Sequence, residues 1–248
     1  MLGVLGGSGF YEFFDDPQPR SIATPYGPPA ADPVIGEVEG VEVAFIPRHG
    51  LDHQFPPHLV PFRANIWALK ELGVDRIVSA SAVGSLRIDY APGHFAIPDQ
   101  IVDRTWGRPS TFHEGPETHH LSFADPYHHG LREIALDGMR STGATVQDGG
   151  TVVVVQGPRF STRAESASFV ASGWDLINMT QMPEACLAGE AGIALVNISV
   201  ITDYDVGIGD GPPVTHEEVI RRFGESVGTL KAGLRSMLPR IAGLPLSS

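Results

Sequence analysis

The sequence predicts an α/β protein, one domain over residues 1–248, built on an open or barrel-like mixed sheet with helices around it. Three observations carry that expectation. Short apolar, β-branched runs such as Thr-Val-Val-Val-Val at 151–155 recur along the chain, with stretches of helical periodicity between them. Polar and charged residues gather where those runs end. The 248 residues are 42% hydrophobic, enough for a real core, and neither an internal repeat nor an interdomain linker divides them.

Composition excludes some functions. A net charge of -12 argues against a nucleic-acid partner, which selects a basic face. It says little about small anions, which a few local donors can hold against the global field. Cys186 is the only cysteine, so no internal disulfide can form, as expected in a reducing cytoplasm. Residues 1–5 begin a strand at once. Without a charged n-region, a cleavage site or an apolar span of membrane length, a cytoplasmic protein with no membrane partner is expected.

Taken in order, residues 3–10 (Gly-Val-Leu-Gly-Gly-Ser-Gly-Phe) read as a short strand and a glycine turn. The spacing is neither a dinucleotide fingerprint nor a Walker motif. With Ser8 as hydroxyl donor, it reads equally as an anion loop or a plain tight turn. A strand at 41–46 ends in Pro47-Arg48-His49-Gly50, where Arg48 offers a planar fork for phosphate or carboxylate. His49 can donate or accept near neutral pH. A loop with His53 and Phe55 leads to a helix at 58–72, in which Val60, Ala64, Trp67, Ala68 and Leu72 keep helical spacing. Arg63 within it is expected at the surface.

Residues 76–82 form the next strand, with Ser81 and Ala82 near its end, and 95–102 another. The polar loop 106–120 and the helix at 126–142 hold His113, His119, His120, His128 and His129. Gly115 and Pro116 break any helix that could align them and no His-Glu-x-x-His occurs, so no metal site is expected. The strand at 151–155 leads into Gln156-Gly157-Pro158-Arg159-Phe160-Ser161, and Thr162 with Glu165 has capping-box spacing. A short strand at 175–178 precedes Met179, Thr180 and a helix from Pro183 to about 191, whose free N–H groups would point back toward Thr180.

The strand at 194–205 ends in Thr202-Asp203-Tyr204-Asp205. Extended backbone would send both carboxylates the same way, at the strand end where open α/β sheets bind ligands. Alone, the pair reads as readily as a turn cap. A glycine-proline loop follows, and Thr215 with Glu218 opens a last helix reaching about residue 238.

Arg48-His49-Gly50, Arg63-Ala64-Asn65, Gln156-Gly157-Pro158-Arg159-Phe160-Ser161-Thr162, Asn178-Met179-Thr180 with Pro183-Glu184, and Thr202-Asp203-Tyr204-Asp205 occur in that order. Together they resemble the trimeric purine nucleoside phosphorylases, specifically their 5'-methylthioadenosine phosphorylase branch, from residue 3 to about 238. The resemblance implies a partly closed mixed sheet flanked by helices, and a homotrimer. It implies a phosphate site at Ser8, Arg48, His49, Ser81, Ala82 (through its backbone) and Thr180. Phe160 and Met179 match residues that line ribose and base. Asp203 matches the catalytic group at purine N7, and Asp205 the one near the 6-amino group. His120 matches a residue that reaches the neighbouring subunit's sugar pocket. Inorganic phosphate is then a co-substrate, with no cofactor.

The resemblance also bears on substrate. Asp203 suits a 6-aminopurine, where the 6-oxopurine branch carries Asn. The methylthioadenosine branch commonly places Val where this chain has His216. The wider purine nucleoside phosphorylases use a His there for the 5'-hydroxyl. His216 thus reads either as a pocket residue favouring adenosine or as a solvent-facing residue of a helix's first turn. The expected activity is phosphorolysis of 6-aminopurine nucleosides. The alternatives are a strict methylthioadenosine phosphorylase, a nucleoside hydrolase and a non-catalytic nucleoside-binding protein.

Overall fold

A computed structural model of the protein describes residues 1–6, 15–209 and 214–246, leaving aside the side chains of 15 and 16. The glycine turn with Ser8 lies outside the described residues. Two long parallel strands form the spine, β5 (Arg76–Ser85) and β11 (Ala194–Tyr204). Both are buried along nearly their whole length, which is why they read as mostly small or apolar runs.

The other strands are β1 (Leu2–Gly6), β2 (Asp15–Pro19), β3 (Val34–Val38), β4 (Val41–Pro47), β6 (Phe95–Ile97), β7 (Gln100–Arg104), β8 (Val146–Asp148), β9 (Thr151–Val155) and β10 (Leu176–Asn178). All join one mixed, partly open sheet that branches at β5. Along one edge of β5, β1 runs parallel beside residues 76–79 and β10 runs antiparallel beside Gly84 and Ser85. Along the other edge lies β11, which passes the sheet on to β6 and β8. Among the described residues, 80–83 therefore have a strand partner on one edge only.

Three strands carry no clear sequence signal. β2 is Asp-Asp-Pro-Gln-Pro, and its prolines restrict it to an edge position with irregular register against β3. β3 is interrupted by Gly36, and β8 spans three residues. The strand expected at 95–102 is two strands. Pro98 and Asp99 break it, and β6 pairs with β11 while β7 pairs with β9 in the other branch.

The helices described are α1 (Phe62–Glu71), α2 (His129–Arg140), α3 (Arg163–Ala171), α4 (Gln181–Glu190) and α5 (His216–Ala242). The helix expected from 58 begins at Phe62, because prolines at 56, 57 and 61 leave a short 3-10 turn over Pro57–Leu59 first. The helix expected from 126 begins after His128, whose Nδ1 accepts from Leu131 N at 3.3 Å. At α3 the capping box is complete: Thr162 Oγ1 accepts from Glu165 N, and Glu165 accepts from Thr162 N at 2.7 Å. At α5 only half forms, since Glu218 turns to Arg221 and Arg222 instead. That helix outlasts its expected end at 238, and Arg76 caps its last carbonyls at Ile241 and Ala242 and reaches Leu244 O just beyond it.

Helices cover both faces. Leu131, Leu136 and Met139 of α2 with Leu230, Leu234 and Met237 of α5 pack on Val78, Ala80, Val196, Ile198 and Val200. On the opposite face, Ile66 and Leu69 of α1 with Ala185 and Leu187 of α4 pack on Ile77, Leu195 and Ile201. Each fully buried aliphatic side chain contributes about 1.5–3 kcal/mol. Among the described residues, no helix is long and apolar enough to cross a membrane.

Candidate active site

The unpaired edge of β5 is where the polar strand ends meet. A residue's N–H and C=O share one edge of a strand, so Ala80 and Ala82 both face the gap between β1 and β10. Arg48, at the end of β4, donates from Nη1 to Ala80 O at 2.9 Å. Asn178, at the end of β10, donates from Nδ2 to Ala82 O at 2.9 Å. The N–H of Ala82 faces the same gap. About 13 Å of strand separates Ala80 from Gly84, where the second half of the site begins.

Arg48 is 2% exposed. Its Nε and Nη2 grip Glu184 at 2.6 and 2.9 Å, and Nη2 also reaches Ser79 Oγ at 2.8 Å. The fork that the sequence offered to an anion is thus closed on Glu184, leaving one Nη1–H and the guanidinium's position. His49 beside it is half-buried, with Nδ1 2.8 Å from Phe55 O. Burial and the Arg48 charge lower its pKa to about 4, so the ring is neutral near pH 7. His53 stacks on His49 with centroids 4.4 Å apart, and His216 lies 5.7 Å from His53. His216 is exposed in the first turn of α5, and it is also the third ring of this cluster. Both sequence readings of it meet here.

Thr180 is buried at the start of α4, where two of the leading N–H groups are already taken. Asn178 Oδ1 accepts from Thr180 N and Gln181 N, both at 2.7 Å, and Met182 departs from helical geometry. Ser81, also buried, lies between the amides of Gln181 and Asn197.

The second half rests on a bulge. The register of β11 against β5 shifts between Ile201 and Asp203, so that Asp203 lies opposite Gly84. A Cβ on Gly84 would stand 2.9 Å from Asp203 Oδ2, so the carboxylate lies directly on the strand. Thr202 Oγ1 donates to Asp203 Oδ1 at 2.7 Å. Burial raises the Asp203 pKa to about 6, against the lowering effect of Thr202 and with a further push from Asp205. Asp205 is 4% exposed and also raised by burial, offset in part by the hydroxyls of Ser166 and Ser161. Among the described residues, Asp205 Oδ2, Ser161 Oγ and Ser166 Oγ are buried and find no well-formed hydrogen bond, a cluster open to a ligand.

Phe160 stands 37% exposed after β9, and Met179 is half-buried, its Sδ packed where a Cβ on Gly157 would fall. His120 is exposed in a loop, with no hydrogen bond, ion pair or ring contact to the other described site residues. Arg63 stacks over Tyr26 and Asn65 holds Ala30 N, so their motif shapes the fold rather than this site. Among the described residues no cluster of His, Cys, Asp and Glu could hold a metal.

Residues 1–238 match the family model described as "Phosphorylase superfamily". The chain belongs to that superfamily. It is 50% identical to the S-methyl-5'-thioadenosine phosphorylase of Thermofilum pendens, covering 97% of this chain and 92% of that one. It is 46% identical to the purine nucleoside phosphorylase of Streptomyces coelicolor, covering 99% and 90%. The methylthioadenosine phosphorylase of Schistosoma mansoni, solved in complex with adenine, superposes with a TM-score of 0.93 at 35% identity over 98% of this chain and 92% of that one.

In this phosphorylase the fold also brings to the site residues that sequence reasoning missed. Arg108 donates to Met179 O and Met182 O at 2.8 Å and to Gln156 O at 2.7 Å, tying the ends of β9 and β10 together. Gly84 gives Asp203 its seat. Ser166 faces Asp205 from α3. A lone Arg in a polar loop, a glycine in a strand and a serine in a helix carry no pattern that marks them.

Proposed function

We propose that the protein is a purine nucleoside phosphorylase acting on 6-aminopurine nucleosides, with residues 1–248 as one catalytic domain. The observation that carries the reading is Asp203, a half-buried carboxyl at the strand end that lies directly on Gly84, with a pKa raised to about 6 by its partial burial. At pH 7 about a tenth of such a group is protonated, against about a thousandth for a free Asp. That makes it a usable proton donor.

In this reading phosphate lies in the gap beside Ala80 and Ala82, held by Ser81, Thr180, His49, the Ala82 N–H, Arg48 and the hydroxyl of Ser8. A phosphate oxygen attacks C1' of the sugar as the bond to purine N9 breaks. The bond's electron pair goes to the purine, where Asp203 delivers a proton at N7. Asp205, with Ser161 and Ser166, reads the 6-amino group, and Phe160 and Met179 line the ribose and base. Free purine and sugar 1-phosphate result. No further cofactor is required.

His216 beside His53 supports a polar 5' pocket, so adenosine is turned over at least as well as methylthioadenosine. The Streptomyces relative's name accords with this, while the Thermofilum name favours a strict methylthioadenosine enzyme. A homotrimer in the cytoplasm completes the reading. The exposed Trp106 and His120 share one loop, which fits a face covered by a neighbouring subunit whose site His120 reaches. The test is base release from adenosine, methylthioadenosine, inosine and guanosine with and without phosphate. Equal release without phosphate means hydrolysis. No release from any of the four means a binding protein.

A further inference from the structure

A stripe of buried polar side chains crosses the otherwise apolar face between β5, β11 and α4. Ser79 and Ser81 alternate along β5, in register with Asn197 and Ser199 on β11. Gln181 and Glu184 of α4 lie against them, with Tyr127 beyond. Counting protons fixes the orientation of both amides in this stripe. Glu184 accepts from Arg48, and Ser79 gives its only proton to Glu184 Oε1 at 2.6 Å. Ser79 must therefore accept from Asn197 Nδ2, at 3.1 Å. That sets the Asn197 amide: its NH2 faces Ser79 and Ser81, and its Oδ1 faces Gln181 and Ser199. Gln181 in turn presents Nε2 to Asn197 Oδ1 and Ser81, both at 3.1 Å, and to Ser199 Oγ at 3.2 Å, three acceptors sharing two protons, and its Oε1 accepts from the Tyr127 hydroxyl.

Both amides thus show their NH2 ends to the Ser81 oxygen, at 3.1 and 3.2 Å, and neither NH2 can take the Ser81 proton. The remaining acceptor within the stripe, Asn197 Oδ1, is 3.4 Å away and already receives Ser199 at 2.8 Å and Gln181 at 3.1 Å. We infer that this ladder makes Ser81 a dedicated hydrogen-bond donor to the bound phosphate, with Asn197 and Gln181 as positioning residues that set its polarity. The inference rests on the placement of phosphate beside Ser81 proposed above. A free hydroxyl donates or accepts; one whose lone pairs are filled can only donate, which matches an oxyanion. The polarity originates at the Arg48–Glu184 pair, so that pair acts on the anion through the ladder as well as through its charge.

The test is a double-mutant cycle on the full-length enzyme, Ser81→Ala against Asn197→Asp, reading phosphate KM, nucleoside KM and kcat. Asn197→Asp replaces the donor facing Ser81 with an acceptor, so the Ser81 proton turns inward. Phosphate KM then rises about tenfold or more, with nucleoside KM unchanged. In the Ser81→Ala background the same change adds less than about twofold. Ser81→Thr keeps the donor and keeps the phosphate KM. If Asn197→Asp fails to fold, the uncharged Gln181→Leu replaces it, with a rise of about threefold that vanishes in Ser81→Ala. An effect of equal size in both backgrounds overturns the inference. So does an unchanged phosphate KM in Ser81→Ala while Arg48→Lys raises it, and phosphorolysis then stands. Base release that needs no phosphate overturns phosphorolysis itself, and the inference with it.

Discussion

Replacing Asp203 with Asn should make the protein more stable and far less active, and the two effects follow from one number. The side chain is isosteric and the hydroxyl of Thr202 can still donate to its oxygen. What changes is the charge. An unfolded Asp titrates at 3.8 and the folded Asp203 at about 6, and at ~1.36 kcal/mol per pH unit that gap corresponds to ~3 kcal/mol. The sign follows from the raised pKa. Below pH 3.8 the carboxyl is protonated in both states and costs nothing. As pH rises toward 6 the unfolded chain ionises while the folded one holds its proton, so stability is lost, and the loss levels off above that. The Asn variant escapes the loss. Urea denaturation should therefore show it more stable by ~1.5 kcal/mol at about pH 5 and ~3 kcal/mol at about pH 8. In the same samples kcat/KM on adenine nucleosides should fall about a hundredfold or more. A variant no more stable at pH 8, or equally stabilised at both pH values, would refute the claim that Asp203 is held against its own ionisation. Unchanged turnover would refute its role as donor.

Other perturbations test the site from other sides. Gly84→Ala places a methyl 2.9 Å from both Asp203 Oδ2 and Ile177 Cγ2, so the carboxylate must move. Its kcat should drop at least about tenfold, with a stability cost of about 1–3 kcal/mol and little change in phosphate KM. Arg108→Met leaves the carbonyls of Gln156, Met179 and Met182 without their donor, which should raise nucleoside KM and lower stability by about 2–5 kcal/mol in denaturation experiments. His216→Val should shift the ratio of kcat/KM toward methylthioadenosine over adenosine, and an unmoved ratio would assign His216 to the solvent. Burial lowers the His49 pKa from 6.5 to about 4, so its contribution to stability is complete above pH 6.5 and is lost as pH falls toward 4. His49→Asn should flatten stability across that window.

Two carboxylates at the end of an apolar run were legible as a candidate ligand pair because strand ends of open sheets collect ligands, but alone they read as readily as a turn cap, and a purine-reading role came only with the resemblance of the motif set. Arg48 was legible as a cation near an anion. Its partner was not, because Glu184 stands 136 positions away and its acidity looked like an ordinary first-turn carboxylate. Asn197 and Ser199 interrupt the core strand as if they were flaws in it. Only when β5 lies in register beside β11 do they become two rungs of a ladder.

By itself the sequence determined where the strongly periodic strands and helices fall, since hydrophobic period is local, and which residues could do chemistry at their ends. It also determined the family, because the order of its motifs is a property of the chain. The tertiary structure decided what is set by residues far apart. It decided where one strand ends and another begins at Pro98, since that depends on which branch of the sheet each half joins. It decided that Asp203 rests on Gly84, since a bulge sets that register. It decided that Arg48 faces Glu184, Ser79 and Ala80, since burial forces a guanidinium to satisfy its donors with whatever the fold brings near.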